Sequence, residues 1–213
     1  MKSTMSTSLF SYSTIGAHSH NLNSDGATAT KDIATTNALP SPHAQRTPTT
    51  WMAPEAHNYK LNFDGATFAE EGTTGIGVVI RNDAGLVMAS LSQWIPLPAT
   101  VIEVEALVAR TAIEFALELG FDNVTLEGDS EVLVKTLNAG RNTLAHYGNL
   151  TADILLLTSH FSKVQFSFVR RQCNRLAHSL ARRASIIQQI SVWMEEVPLD
   201  LIPVFFTDLN SLP

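Results

Sequence analysis

Three acids of this chain stand at positions where a carboxylate is either a local structural device or a reagent. Asp64 follows the run Tyr59-Lys60-Leu61-Asn62-Phe63, which has a strand pattern, and precedes Gly65. Asp129 lies just beyond a second such run, Val124-Thr125-Leu126-Glu127. Each has a plain alternative: Asp64-Gly65 also reads as a turn, and Asp129 as the N-cap of the helix after it. Glu105 is less ambiguous. At about 100° per residue, Val101, Val104, Val108, Ala109, Ala112, Phe115, Ala116 and Leu119 form one apolar stripe. Glu105 falls inside that stripe, whereas Glu103 lies on the opposite face with Arg110 and Glu114. A carboxylate turned toward a core needs strong compensation, because an unpaired buried charge is costly. The nearby sequence offers no arginine partner, so a cation shared with Asp64 and Asp129 is the expected compensation. Glu103 is most simply a solvated surface acid. Three carboxylates without histidine or cysteine suit a hard, oxygen-seeking ion, Mg²⁺ or Mn²⁺. Paired ions of that kind suit phosphoryl chemistry, where they activate an attacking water and stabilise the leaving oxygen.

The acids meet only if the elements bring them together. Strands are expected at Tyr59 to Phe63, Ile76 to Arg81 and Leu86 to Trp94, with a turn at Gly72 and Gly75. Asn82-Asp83-Ala84-Gly85 is a hairpin loop with Gly85 in the left-handed position. Pro96 and Pro98 stop the third strand, and Thr100 is the N-cap of a long helix to Leu119, with Gly120 at its C-terminal end. A fourth strand at Val124 to Glu127, helices at Ser130 to Asn138 and Leu150 to Ser159, a fifth strand at Val164 to Val169 and a long helix from Asn174 to Ile190 complete the pattern. This order predicts an α/β fold: a mixed five-stranded sheet, made of a three-strand antiparallel meander plus parallel strands and flanked by helices. The first strand is central, antiparallel to the second and parallel to the fourth. Adjacent strands lie about 4.8 Å apart, so Asp64 and Asp129 converge at the carboxyl edge of the sheet.

The last helix begins at the same edge and brings Asn174 and His178, one turn apart, beside its apolar face. His178 is either a half-buried packing residue or a group that transfers protons and assists a metal, since imidazole titrates near neutrality. Arg170, Arg171, Arg175, Arg182 and Arg183 place five of the chain's 14 basic residues around the start of that helix. The pattern suits a polyanion partner, with Arg170 and Arg171 at the strand-to-helix turn the stronger candidates; for Arg182 and Arg183 a solvated helix face is as good an account. Other motifs fail on context. Gly72, Gly75 and Gly77 lead into a strand, so they form no dinucleotide loop, and Gly128-Asp129-Ser130 lacks a nucleophile elbow.

Composition sets the outer limits. A net charge of −6 excludes a uniformly basic nucleic-acid wrapper, though not a local basic patch. The single Cys173 excludes an intrachain disulfide framework and a cysteine-rich zinc module, which points to a reducing compartment, nucleus or cytoplasm. No apolar run approaches the roughly 20 residues that span a bilayer, so a soluble chain without a membrane partner is expected. Residues 1–50 hold 18 Ser and Thr and show neither helical nor strand periodicity, so 1–52 are expected to be a disordered leader. That leader also resembles an organelle transit peptide in its scarcity of acids, although arginine is almost absent. The folded domain is expected at 53–190, with a tail at 191–213 packing on it.

The ordered segments KLNFDGA (60–66), GIGVVIRNDAG (75–85), EALVARTAIEFALELGF (105–121), LEGDS (126–130), FVRRQCNRLAHSLARRA (168–184) and VWMEEVP (192–198) resemble one family. It is the plant-type RNase H-like domain found at the end of reverse-transcriptase polyproteins of non-LTR retroelements and as stand-alone plant proteins. The resemblance implies an RNase H fold and, in active members, Mg²⁺-dependent endonucleolytic cleavage of RNA in an RNA–DNA hybrid. It matches Asp64, Glu105 and Asp129 to the family's first three metal-binding acids and puts His178 at the fourth acidic position. Arg170, Arg171, Asn174 and Arg175 are the expected nucleic-acid contacts, in a chain expected to act as a monomer. The histidine-bearing loop and basic helical protrusion of the classical bacterial enzymes are missing, which bears on rate and hybrid affinity rather than on the fold. The alternative function is a non-catalytic nucleic-acid-binding domain derived from a retroelement.

Overall fold

In the computed structural model the described residues are 49–140, 145–187 and 189–210, all within one compact unit, Gln45–Pro213. All but the last four residues of the expected leader lie outside them. The meander forms as the alternation of side chains requires. Strand β1 (Tyr59–Phe68) pairs antiparallel with β2 (Thr73–Arg81), which pairs antiparallel with β3 (Val87–Pro96). The β2–β3 loop closes on Asn82, whose Oδ1 accepts from the amides of Ala84 and Leu86 at 3.0 and 2.9 Å, with Gly85 at φ 77°.

Helix α1 (Val101–Glu118) starts in a reciprocal capping box. Thr100 accepts from the Glu103 amide, and the Glu103 carboxylate accepts from the Thr100 amide at 2.9 Å. Glu103 is therefore a capping residue rather than a free surface acid. The helix ends in a Schellman motif, with Gly120 at φ 78° and the Phe121 amide donating to the Ala116 carbonyl at 3.0 Å. Strand β4 (Asn123–Gly128), helices α2 (Glu131–Ala139) and α3 (Gly148–Thr158), β5 (Lys163–Phe168) and α4 (Arg175–Arg183) follow.

The sheet has six strands in the order β5-β4-β1-β2-β3-β6, one more than the sequence pattern predicts. The expected long final helix stops at Arg183, passes through a 3-10 turn at Ala184–Ile186, and gives way to β6 (Ile190–Met194), antiparallel to β3. Apolar spacing carries the helical pattern past its end. The alternating Ile190-Ser191-Val192-Trp193-Met194, offered a free edge on β3, has the better strand pattern. A 3-10 turn at Leu199–Leu201 and helix α5 (Ile202–Leu209) complete the described chain.

The expected central position of β1 holds, with β2 antiparallel on one side and β4 parallel on the other. One sheet face carries Leu61, Phe63, Ile76, Val78, Ile80, Leu91, Val124 and Leu126 against Val108, Ala112 and Ile113 of α1. The other face meets α4, whose Leu176, Ala177 and Leu180 pack on Val79. Gly75 and Gly77 allow that close approach, because a Cβ at either position would strike the carbonyls of Ala181 or Ala177. The glycine pair that is no phosphate loop is thus a helix seat. Val101, assigned to the apolar stripe of α1, is 74% exposed at the first position of the helix.

Candidate metal and nucleic-acid site

Asp64 lies in the middle of β1, not at its end, so neither a turn nor a strand terminus accounts for it. It shares the α4 side of the sheet with Asn62. The parallel ladder between β1 and β4 ends at Asn62↔Glu127, so Asp64 stands just past the last rung. Asp129 follows the end of β4 at Gly128 and is not the cap of α2. That role belongs to Ser130, whose side chain accepts from the Leu133 amide at 3.4 Å. Glu105 sits in the second turn of α1, where Val104 packs over Gly65 so tightly that an added Cβ would lie 2.6 Å from Val104 Cγ1. Helical phase and this contact together turn Glu105, and not Glu103, toward the two aspartates.

Carboxylate oxygens of Asp64, Glu105 and Asp129 lie within 4.8 Å of one another. Their electrostatics are those of crowded acids with too little counter-charge. Burial, and then repulsion from Asp129 and Asp64, push the Glu105 carboxyl from 4.5 up to about 8, with only weak opposition from Arg171. Asp64 is also raised, by burial first and then by Asp129, although a hydrogen bond from His178 pulls the other way. Glu105 Oε2 is buried with no hydrogen-bond partner among the described residues. An orphaned carboxylate oxygen facing two more carboxylates is a donor set that fits a hard divalent cation.

His178, on α4, places Nδ1 2.6 Å from Asp64 Oδ2, and the Arg171 guanidinium lies 3.2 Å from Nδ1 and 3.4 Å from Nε2. These partners suit the tautomer with the proton on Nδ1, which donates to Asp64 while Nε2 faces Arg171. A packing role alone does not account for this geometry. Arg170, Arg171 and Arg175 are exposed at the same end of α4, Arg175 standing 3.7 Å from Asp208. Asn174 departs from expectation. It is 1% exposed and its Nδ2 donates to the Phe63 carbonyl at 2.7 Å, so it anchors the start of α4 to β1 instead of meeting a nucleic acid. Of the other two arginines, Arg183 is ion-paired with Asp200, and Arg182 is exposed.

The family described as reverse transcriptase-like matches residues 62–184, more than half of the chain, and includes all four of these side chains. The chain belongs to that family. This reverse transcriptase-like domain is similar in structure to RNase H1 from the halophilic archaeon Halobacterium salinarum NRC-1. The two share 27% identity at a TM-score of 0.56, over 61% of this chain and 98% of that one. It is also similar to the N-terminal RNase H domain of a Mycobacterium tuberculosis protein solved as a maltose-binding-protein fusion. There the identity is 25% and the TM-score 0.53, over 60% and 92% of the two chains. LC11-RNase H1, solved in complex with RNA/DNA hybrid, shares the fold at 22% identity and a TM-score of 0.53, over 59% and 95%. No curated protein matched the chain. The fold of the reverse transcriptase-like domain is therefore RNase H-like.

Sequence reasoning missed a second polar group beneath this site. Arg81, 1% exposed, pairs with Asp208 at 2.9 Å, donates to Asn62 Oδ1 at 2.8 Å, and stacks 3.5 Å from the centre of the Trp51 ring. Burial lowers its pKa to about 10 against the opposing pull of Asp208 and Glu127. The available signal was strand parity: Asn62 and Glu127 stand two residues before Asp64 and Asp129, and so on the same face.

Proposed function

We propose that the chain is a metal-dependent ribonuclease that cleaves the RNA strand of an RNA–DNA hybrid, of the plant-type branch related to retroelement reverse transcriptases. The observation that carries this reading is the meeting of Asp64, Glu105 and Asp129 around the unpartnered Glu105 Oε2. The RNase H names of the two structures at 25% identity or more support it. Asp64, Glu105 and Asp129 would hold Mg²⁺ or Mn²⁺, and two such ions would supply activation of water and charge neutralisation at the leaving oxygen.

The protein's own groups prepare that site. Glu105 would give up its proton on uptake of a cation, whose charge would compensate the burial and the repulsion from Asp129 and Asp64 that hold the proton on. His178 fixes the rotamer of Asp64 through its 2.6 Å contact and keeps one carboxylate oxygen oriented. Arg171 in turn holds the imidazole. Arg170, Arg171 and Arg175 offer guanidinium groups to backbone phosphates, and RNA is told from DNA by contacts to 2′-hydroxyls in the wide minor groove.

The test is cleavage of a labelled hybrid by the purified chain with Mg²⁺. Product is expected from wild type and none from Asp64→Asn, and equal cleavage by both would sink the assignment. The 2.6 Å His178 contact to Asp64 favours one other reading, a hybrid-binding domain without catalysis, since the imidazole occupies a carboxylate oxygen. Hybrid binding that weakens with salt, without calorimetric Mn²⁺ uptake, would establish that reading instead.

A further inference from the structure

The last rung of the β1–β4 ladder, Asn62↔Glu127, is joined through its side chains as well as its backbone. Asn62 Nδ2 donates to Glu127 Oε2 at 3.0 Å. Both ends of that bond are held. Glu127 Oε1 is 2.7 Å from Lys60 Nζ. Asn62 Oδ1 accepts from Trp51 Nε1 at 2.9 Å and from Arg81 Nη2 at 2.8 Å, and Arg81 is itself tied to Asp208. With Oδ1 engaged by two donors, only the NH₂ group of Asn62 is left for Glu127. Asn62, Arg81, Glu127 and Asp208 are each at most 3% exposed. For stability alone an apolar rung would serve at least as well, as Leu61 and Leu126 show on the opposite face.

Above this rung β4 ends at Gly128, no further backbone rung joins the two strands, and Asp64 and Asp129 repel each other. We propose that Asn62 and Glu127 are positioning residues: their side-chain bond pins β1 to β4 where the ladder stops, so that Asp64 and Asp129 stay close enough to share a divalent cation. Trp51, Arg81 and Asp208, drawn from the segments before and after the paired strands and from β2, fix the orientation of the amide that makes the bond. This inference rests on the reading of the three acids as a metal site.

The test titrates Mn²⁺ alone into the full chain by calorimetry, at a temperature where circular dichroism shows every variant folded. Glu127→Leu and Asn62→Leu remove the bond, while Glu127→Gln keeps an acceptor oxygen at the same reach. The two leucine variants are expected to bind Mn²⁺ roughly 10-fold or more weakly, the range for partners standing behind metal ligands, and Glu127→Gln to bind nearly as wild type does. A merely structural role would lower melting temperatures without separating the Gln from the Leu variant in affinity. Wild-type affinity in folded Glu127→Leu would overturn the positioning role and leave the metal site standing. Absence of Mn²⁺ uptake by wild type would overturn the metal site, and the positioning role with it.

Discussion

The two faces of the sheet use the same strands to opposite ends. Odd-numbered β1 residues Leu61 and Phe63 meet α1 in a dry layer with Ile76, Val78, Ile80, Leu91 and Leu126. The even-numbered Asn62 and Asp64 face the other way, into a layer with the buried Arg81, Ser92 and Glu127. There Ser92 donates to the Leu180 carbonyl at 2.8 Å, and glycines at 75 and 77 seat α4. Burial is equally complete on both faces, but its cause differs. On the α1 face burial is mostly of apolar area, with few polar groups to satisfy, Thr74 among them. On the α4 face buried polar groups need partners, and at the rim the carboxylate oxygen Glu105 Oε2 is among those left without one. The dry face holds the fold and the polar face carries the aspartates of the candidate site.

The largest expected effect breaks the chemistry while strengthening the metal-free fold. Glu105→Gln is expected to abolish metal-dependent cleavage and to raise the metal-free melting temperature. The sign follows from linkage. A carboxyl at 4.5 when unfolded and about 8 when folded favours the native state below 4.5, and that contribution is lost as pH rises toward 8. At about 1.4 kcal/mol per unit this amounts to a few kcal/mol. Metal-free wild type is therefore expected to melt progressively lower between pH 5 and 8, a slope that saturating Mg²⁺ removes and Glu105→Gln flattens.

Next in size is the polar face itself. Asp208→Ala leaves Arg81 buried without its carboxylate and is expected to cost about 3–5 kcal/mol by denaturant unfolding. The double variant Arg81→Met with Asp208→Leu should recover most of that loss. If it does not, the pair is held by more than mutual compensation. On the dry face, Ile113→Ala is expected to cost about 2–5 kcal/mol through lost burial and a cavity. Its calorimetric Mn²⁺ affinity should match wild type while the protein is folded, and a weakened affinity would erase the separation of the two faces. Smallest is Glu103→Gln, expected within about 0.5 kcal/mol of wild type with cleavage unchanged, because glutamine at this position keeps the capping box. Loss of cleavage in this variant would return the register of α1 to question.

Much of this was legible along the chain, because the signals are local. Strand alternation placed β2 to β5 to within a few residues and the start of β1, though β1 runs on to Phe68 past its expected end at Asp64-Gly65; Thr100 and Gly120 marked both ends of α1, and Gly85 marked the hairpin. Helical phase separated Glu105 from Glu103, since two positions turn a helix by about 200° and only one of the pair faces the sheet. What local pattern cannot carry is a partner far along the sequence or the burial that such a partner creates. Trp51, Asn62, Arg81, Glu127 and Asp208 come from five separate segments, and the members of the Arg81–Asp208 pair stand 127 positions apart. Asn174 reads in sequence as one more polar residue beside a basic cluster; packing alone places it 1% exposed against the Phe63 carbonyl. Strand β6 exists because β3 offers it an edge, and Asp64 stands at the site because the β1–β4 ladder stops at Asn62, not because its own strand does. Periodicity is written into the backbone dihedrals of each residue, so the sequence by itself determined the elements up to the start of α4 and singled out the three acids. Which polar groups share a buried layer is settled only when distant elements pack, and that was decided by the tertiary structure.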